Sequence, residues 1–93
     1  MEDKQILLAH LDQVHTTELG AARIKENLKL ITDDVVAYCK RKISDEKCHI
    51  YKKGKNWYCE IDQIRITIHC RSYTIITAHM MDWNSIYIEK HLN

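Results

Sequence analysis

Apolar residues recur at helical spacing through the first part of the chain. Leu7, Leu11 and Val14 stand four and three positions apart, so a helix would bring them onto one face. We therefore predict an amphipathic helix from Glu2 to about Val14, with its apolar face directed to the core.

Two more helices are predicted before the spacing changes. The polar residues at 15–17 break the first helix and offer an N-cap, so the second helix is predicted from Glu18 to Leu28. Thr32 is predicted to cap the third helix, which has acidic residues in its first turn and basic residues in its last turns, as the helix dipole favours. Residues 1–44 are thus predicted to form a helical layer.

After Ser44 the spacing of apolar residues changes from helical to alternating. Ile64, Ile66 and Ile68 alternate with polar residues, which is the pattern of a strand with one buried face. Four such segments are separated by short connections, including a tight turn at 53–56, so neighbouring strands should pair as antiparallel hairpins. The sequence predicts an α+β fold, with three helices packed on a four-stranded antiparallel meander.

The orientation of the fourth strand depends on the turn that precedes it. A two-residue turn at 71–72 would pair Ile68 with Ile75, and it would direct Thr77 and His79 to the core. A change of one residue in the length of that turn would reverse the two faces of the strand. The sequence pattern leaves both orientations open.

The chain contains no proline, no repeat and no low-complexity stretch, and 45% of its 93 residues are hydrophobic. It is therefore interpreted as one domain, residues 1–93, built around one core. The helical layer spans 1–44, the sheet spans 45–80, and a C-terminal segment spans 81–93. The spacing in that last segment favours a short closing helix, but Ser85–Glu89 could equally form an edge strand.

The N-terminal residues lack the features of a signal peptide, and no apolar run is long enough to span a bilayer. We therefore expect a cytoplasmic protein without membrane association, whose four cysteines remain thiols. No zinc site is expected, because Cys48–His49 and His69–Cys70 are strand neighbours that point to opposite faces, and Cys59 fits an apolar row. Neither a metal nor a cofactor is expected.

The net charge is only +1, but the positive charge is unevenly distributed. Residues 40–55 carry seven basic and two acidic side chains, which is half of all lysine and arginine in the chain. The change of spacing near Ser44 is expected to place these cations at one end of the molecule. Lysines beside aromatic side chains are typical of surfaces that contact acidic partners or nucleic acid.

Five short blocks, spread over about residues 12–79, form a distinctive combination. They read HTTELG at 15–20, RIK.NL at 23–28, DVV..CK at 34–40, KGKNWY at 53–58 and SYTIITAH at 72–79. In this combination the chain resembles a family of small bacterial and phage-associated domains of unknown function. The resemblance implies a common fold and an intracellular setting, and it carries over no activity.

We expect a small non-enzymatic binding module. Its partner is expected to be a protein or nucleoprotein with an acidic surface, with RNA contact as a further possibility. The size and the family setting favour an inhibitor in phage–host conflict, for example of an RNA-guided nuclease. The residues predicted to bind the partner are Lys52, Lys53, Lys55, Trp57, Tyr58 and Arg65.

The alternative function is a metal-independent ribonuclease of the small-toxin type. His69 and His79 lie on adjacent predicted strands and could act as general acid and general base. Arg65 and Arg71 are close in sequence and could stabilise a phosphorane. The competing interpretation is that both histidines are ordinary sheet residues without a catalytic role.

Overall fold

Three helices and a four-stranded antiparallel sheet form residues 3–81, the part of the chain that the computed structural model describes. Sheet neighbours are also sequence neighbours, so the sheet is a meander and the predicted α+β class is confirmed. The predictions for 82–93 lie outside the described residues. The helices are α1 (Asp3–Ala9), α2 (Glu18–Leu28) and α3 (Val35–Ser44), with a 3₁₀ turn at Leu11–Gln13, and the strands are β1 (His49–Lys53), β2 (Asn56–Ile61), β3 (Ile64–His69) and β4 (Ile75–Met80).

The first helix is shorter than predicted. It ends at Ala9, so the prediction of one helix as far as Val14 is wrong. The His10 ring donates from Nδ1 to the carbonyl of Ile6 (2.8 Å), while the His10 amide donates to Leu7 instead (3.0 Å). The ring thus takes the acceptor that the next helical hydrogen bond would use, and the chain tightens into the 3₁₀ turn.

The other two helices begin at side-chain caps. The second helix has the predicted bounds, and the hydroxyl of its N-cap Thr17 accepts from the amide of Gly20 (3.0 Å). The predicted cap of the third helix is wrong, because the Asp34 carboxylate accepts from the amide of Ala37 (3.1 Å). Thr32 lies outside the helix, and its hydroxyl accepts from the Asp34 amide (3.1 Å). Both residue types cap helices well, so sequence alone did not choose between them.

Two of the three hairpin connections are two-residue turns at the predicted places. Gly54 has a φ of 62° between paired residues Lys53 and Asn56. Asp62 and Gln63 both have positive φ, 52° and 65°, which is the pattern of a type I′ turn. These turns match the twist of the strands they join and set the register of β1, β2 and β3.

The connection before β4 is longer than the predicted two-residue turn. The amide of Tyr73 donates to the carbonyl of His69 (2.9 Å), and Tyr73 has a φ of 59°. The Tyr73 ring packs between two others, with its centroid 5.3 Å from that of His10 and 5.4 Å from that of Trp57. These ring contacts offset the cost of left-handed backbone at a bulky residue. The strand begins at Ile75.

A bulge in β4 decides which of its side chains enter the core. Ile68 pairs with Ile75 as predicted, but Thr67 pairs with Thr77, so Ile76 is an extra residue on this strand. Thr77 therefore faces away from the core, which differs from the orientation that a two-residue turn alone would give.

Beyond the bulge, the two faces of β4 are exchanged. Ala78 lies opposite Ile66 and is fully buried, whereas His79 lies opposite Arg65. His79 faces away from the core for the same reason, so of the two orientations that the sequence left open, the reversed one applies beyond the bulge: one added residue moves every later side chain to the other face.

The helices pack against one face of the sheet, here called the inner face. Their buried residues form one core with the inner side chains of the strands, and within residues 3–81 the other, outer face carries no helix. The largest fully buried side chains are Leu7, Ile24, Cys39, Ile43, Cys59, Ile66, Ile68 and Ile75.

The segment before α2 is attached to the start of β4. His15 forms a parallel bridge with Thr74, in which the His15 amide donates to Tyr73 (3.1 Å) and the Ile75 amide donates to His15 (2.7 Å). The Thr16 hydroxyl donates to the carbonyl of Ile75 (3.0 Å). This segment therefore adds a short extra pairing at the edge of the sheet.

Gly20 is required by the position of Thr16. A Cβ at Gly20 would overlap the Thr16 hydroxyl oxygen and would lie 3.1 Å from the hydroxyl oxygen of Thr17. The hydroxyl of Thr16 cannot easily turn away, because it is hydrogen-bonded to β4. The helix thus accepts glycine near its start, at a cost of up to about 1 kcal/mol relative to alanine.

Replacing Gly20 tests this packing. Gly20→Ala is expected to lower the free energy of unfolding by about 1–3 kcal/mol, because the overlap outweighs the gain in helix propensity. In a Thr16→Ala background the same change should be neutral or stabilising, and urea denaturation of the four proteins measures the coupling. A stabilised Gly20→Ala single variant would contradict the proposed packing.

Three of the four cysteines are buried as free thiols. Burial raises the pKa of Cys39 from 9.0 to about 11. The pKa of Cys59 is also raised, first by a hydrogen bond with Cys48 and then by burial. Both thiols therefore stay protonated at neutral pH.

Protonation of Cys39 makes stability depend on pH above neutrality. The unfolded thiol ionises near 9.0 and the folded one near 11, so unfolding releases a proton between these values and stability falls as the pH rises through them. The expected loss is about 2–3 kcal/mol. Urea denaturation at several pH values should show a shallower fall for Cys39→Ala than for the wild type, whereas equal slopes would contradict the assignment.

Candidate binding surface

One end of the sheet gathers three segments that are far apart in sequence. The β1–β2 turn lies there, and its Lys55 carbonyl accepts from the amide of Cys70 (2.8 Å), which brings the β3–β4 connection alongside. The bridge between His15 and Thr74 adds the segment before α2. We call this surface the hairpin end; it consists of residues 15–17, 52–56 and 69–75.

Short polar contacts hold these segments together. The Thr74 hydroxyl lies 3.2 Å from His15 Nε2 and 2.8 Å from the Ser72 hydroxyl. The amide of Arg71 donates to His69 Nδ1 (3.2 Å). Thr74 thus connects the segment before α2 with the β3–β4 connection.

The hairpin end is positively charged. Its three segments contain Lys52, Lys53, Lys55 and Arg71, and they contain no acidic residue. All four of these cations are exposed. This surface therefore attracts anionic groups more strongly than the net charge of +1 would indicate.

The other cations of 40–55 lie elsewhere, so the prediction of one cluster of seven is wrong. Lys42 Nζ forms an ion pair with Asp62 (2.6 Å) at the β2–β3 turn, which is the opposite end of the sheet. The hydrogen bond that Lys42 donates to the Asp62 carboxylate raises the pKa of Lys42. Lys47 precedes β1 and so also lies away from the hairpin end. Lys42 of α3 lies beside the β2–β3 turn, whereas the β1–β2 turn lies at the hairpin end. The basic residues of 40–55 are therefore divided between the two ends of the sheet.

Aromatic rings cover part of the outer face beside the hairpin end. Tyr51 of β1 stands directly opposite Tyr58 of β2, with ring centroids 5.4 Å apart and planes 23° apart. The His49 ring lies 5.2 Å from that of Tyr51. These three side chains, His49, Tyr51 and Tyr58, are here called the ring row.

Glu60 anchors the ring row at the side away from the hairpin end. Its Oε2 accepts from the Tyr51 hydroxyl (2.8 Å) and from Arg65 Nε (2.8 Å). Burial alone would raise the pKa of Glu60, but these two hydrogen bonds lower it overall. Burial and the hydrogen bond to Glu60 raise the pKa of Tyr51. The carboxylate therefore stays charged and fixes the position of the Tyr51 ring.

The residues predicted to bind a partner fall into two groups. Lys53, Tyr58 and Arg65 share the outer face, while Lys52 and Lys55 are exposed at the hairpin end. The sixth, Trp57, is only 3% exposed, because it lies opposite Ile68 on the inner face, so the structure does not support its prediction as a contact residue.

The histidines and arginines predicted for catalysis are only partly brought together. The bulge places His69 and His79 on the same face, but His79 lies opposite Arg65, four residues from His69 along β3. This corresponds to about 13 Å along the strand. A general acid and a general base must each reach the same phosphate within hydrogen-bond distance, and this spacing does not favour that arrangement. Arg71 is near His69 only.

The potential metal ligands are divided between the two faces. Cys48 and Cys59 are buried on the inner side, whereas His49 and His69 belong to the outer face. Between residues 3 and 81, no group of three or more His, Cys, Asp or Glu side chains is arranged to hold a metal ion. In the same range, none of the helices has the length and apolar character needed to cross a membrane.

A family model described as "Protein of unknown function (DUF3781)" matches residues 8–79. The chain belongs to the DUF3781 family. The match spans all five blocks that carried the resemblance, and three of those blocks contribute to the hairpin end of this DUF3781 protein. Comparison with curated proteins and with solved structures found no match.

Two features of this DUF3781 surface were not predicted from the sequence. Arg71 was considered only for catalysis, and the proximity of its loop to Lys55 depends on a backbone hydrogen bond. The contact between His15 and Thr74 spans 59 positions. The family blocks at 15–20 and 72–79 mark both segments in the sequence, but their positions do not show that the two segments are in contact.

Substitution of the histidines tests the catalytic alternative. The double variant His69→Ala/His79→Ala and the wild type are both incubated with labelled single-stranded RNA in the presence of EDTA. Both are expected to show the same background rate of cleavage, because the two histidine rings are too far apart to act on one phosphate. Gel electrophoresis measures the rate. A clear loss of cleavage in the variant, with an unchanged melting temperature, would establish catalysis and overturn this expectation.

Proposed function

We propose that this DUF3781 protein is a non-enzymatic binding module that recognises an anionic protein or nucleoprotein partner through its hairpin end. The observation that carries the proposal is the convergence of three distant segments, whose own residues contribute four cations and no acidic side chain. Opposite charge on the partner would steer association and set orientation.

The hairpin end is well suited to binding because its backbone is fixed. The two-residue turn sets the positions of Lys53 and Lys55, and the hydrogen bond from Cys70 to Lys55 holds the turn against the next loop. A surface that is already ordered loses less conformational entropy when a partner binds. The lysine side chains remain long and adaptable at their tips.

Binding is favoured over ribonuclease activity by the geometry of the histidines. His69 lies at the hairpin end and His79 near the C-terminal end of β4, with about four residues of strand between their positions. The arrangement offers cations for contact, but it does not offer a paired acid and base at one point.

The setting that we propose is the reducing cytoplasm. Free thiols at Cys39, Cys48 and Cys59 within the core support it, because such residues persist as thiols where reductants are abundant. We further propose that binding inhibits the partner, for example an RNA-guided nuclease in phage–host conflict. An inhibitor of this kind needs only a surface that occupies an anionic site on its target.

Removal of charge at the hairpin end tests the proposal. Lys52→Gln/Lys53→Gln/Lys55→Gln is expected to weaken retention of the partner at least about tenfold, since three phosphate or carboxylate contacts are lost. The measurement is the amount of partner retained from a native lysate by the immobilised protein, over a series of salt concentrations.

A matched variant controls for net charge. Arg23→Gln/Lys29→Gln/Arg41→Gln removes three exposed cations from the helical layer, two within helices and one at the C-cap of α2, and should retain the partner as the wild type does. Equal losses in the two triple variants would show a general charge effect and reject the hairpin end as the binding surface. Nuclease treatment of the lysate separates partners that are held through nucleic acid from those held through protein.

A further inference from the structure

The ring row places three aromatic side chains on the face of the sheet that carries no helix within residues 3–81. Tyr51, Tyr58 and His49 lie on the outer face, away from the helices, where their rings contribute little to the core. The two tyrosines are stacked at 5.4 Å and are half-buried rather than covered. Flat, partly exposed rings on a strand are suited to stacking against other planar groups.

The tyrosine rings are held in position by hydrogen bonds at their edges. Tyr51 donates its hydroxyl proton to Glu60 (2.8 Å), and the Tyr58 hydroxyl accepts from Asn56 Nδ2 (3.5 Å). The short contact to Glu60 limits rotation of the Tyr51 side chain, and the Tyr58 ring stacks on that of Tyr51, so a planar ligand would meet a prepared platform.

Cations lie directly beside this platform. Lys53 follows Tyr51 by two residues on the same face, and Asn56 stands opposite Lys53. Two residues along a strand correspond to about 7 Å between α-carbons. A lysine at this distance can reach a phosphate while an attached base stacks on the neighbouring ring. Lys55 and Arg71 extend the positive charge across the hairpin end.

We propose that single-stranded RNA binds across the hairpin end and the ring row, with bases stacked on Tyr51 and Tyr58 and phosphates contacted by Lys53 and Lys55. This inference rests on the proposed function and names the anionic component that the surface recognises. The strand of RNA would run from the cationic end of the sheet towards Glu60, where the carboxylate ends the favourable path for phosphates.

The chemistry of the site favours single-stranded RNA over the other anionic partners. An acidic protein would engage the lysines, but it would leave the stacked rings without a planar partner. A duplex keeps its bases stacked inside, so the rings could not reach them. The Asn56 amide and the tyrosine hydroxyls lie beside the platform and can hydrogen-bond to a ribose 2′-hydroxyl.

Binding of a labelled 12-nucleotide single-stranded RNA to the full chain tests the inference. Fluorescence anisotropy should give a dissociation constant that rises about 5- to 100-fold for Tyr51→Leu and for Tyr58→Leu, because each change removes one stacking surface. Tyr51→Phe and Tyr58→Phe keep the rings and should bind within about threefold of wild type. Leucine and phenylalanine variants that bind alike would overturn the stacking role.

Matched controls separate stacking from general effects. Tyr38→Leu changes a half-buried tyrosine on α3 and should leave RNA affinity unchanged. Duplex RNA, and DNA of the same sequence as the probe, should bind several-fold more weakly than the single-stranded RNA. If duplex RNA or the DNA bound as tightly as the single-stranded RNA, the assignment to single-stranded RNA would be overturned.

The failure of this inference can be distinguished from the failure of the proposed function. If the triple lysine variant loses its partner while the tyrosine variants do not, and the interaction survives nuclease treatment, then the partner is a protein and the RNA inference is wrong. If the triple lysine variant retains its partner as well as the wild type does, then the proposed function itself is wrong.

Discussion

The register of the β1–β2 hairpin is the constraint on which the rest of the candidate surface depends. Because side chains alternate between faces, the turn at Gly54 sets Tyr51 opposite Tyr58, on the face of the sheet away from the buried Trp57. A one-residue slip of β1 against β2 would turn Tyr51 and Lys53 to the inner face and Ile50 to the outer face. Core packing and the proposed recognition of RNA therefore require the same pairing.

Polar contacts at the hairpin end link the helical layer to the sheet. Thr16 donates to β4 and excludes a side chain at Gly20, while His15 and Thr74 pair across the edge. The hydrogen bonds satisfy the edge of β4 and fix the loop that carries Arg71. One set of contacts thus stabilises the fold and positions a cation.

Electrostatic character changes from one end of the sheet to the other. The hairpin end contains lysines without acidic neighbours in its own segments, whereas Lys42 is paired with Asp62 at the far turn. Glu60 lies between these ends and is balanced by Arg65 and the Tyr51 hydroxyl. A lysine that is already in an ion pair attracts an anionic ligand less strongly than an unpaired one. The unequal distribution of paired and unpaired lysines therefore directs an anionic ligand to the hairpin end.

The sequence by itself determined the order of elements, the bounds of α2 and the two short turns, because these follow from local spacing and local turn chemistry. It also identified Lys52, Lys53 and Lys55 as the exposed cations of a hairpin. Only the tertiary structure decided the facing of His79 and the burial of Trp57, since both depend on which strand pairs where. The bulge at Ile76 and the contact between His15 and Thr74 form between distant segments, and such contacts are set by the fit of the whole core rather than by the pattern of any one segment.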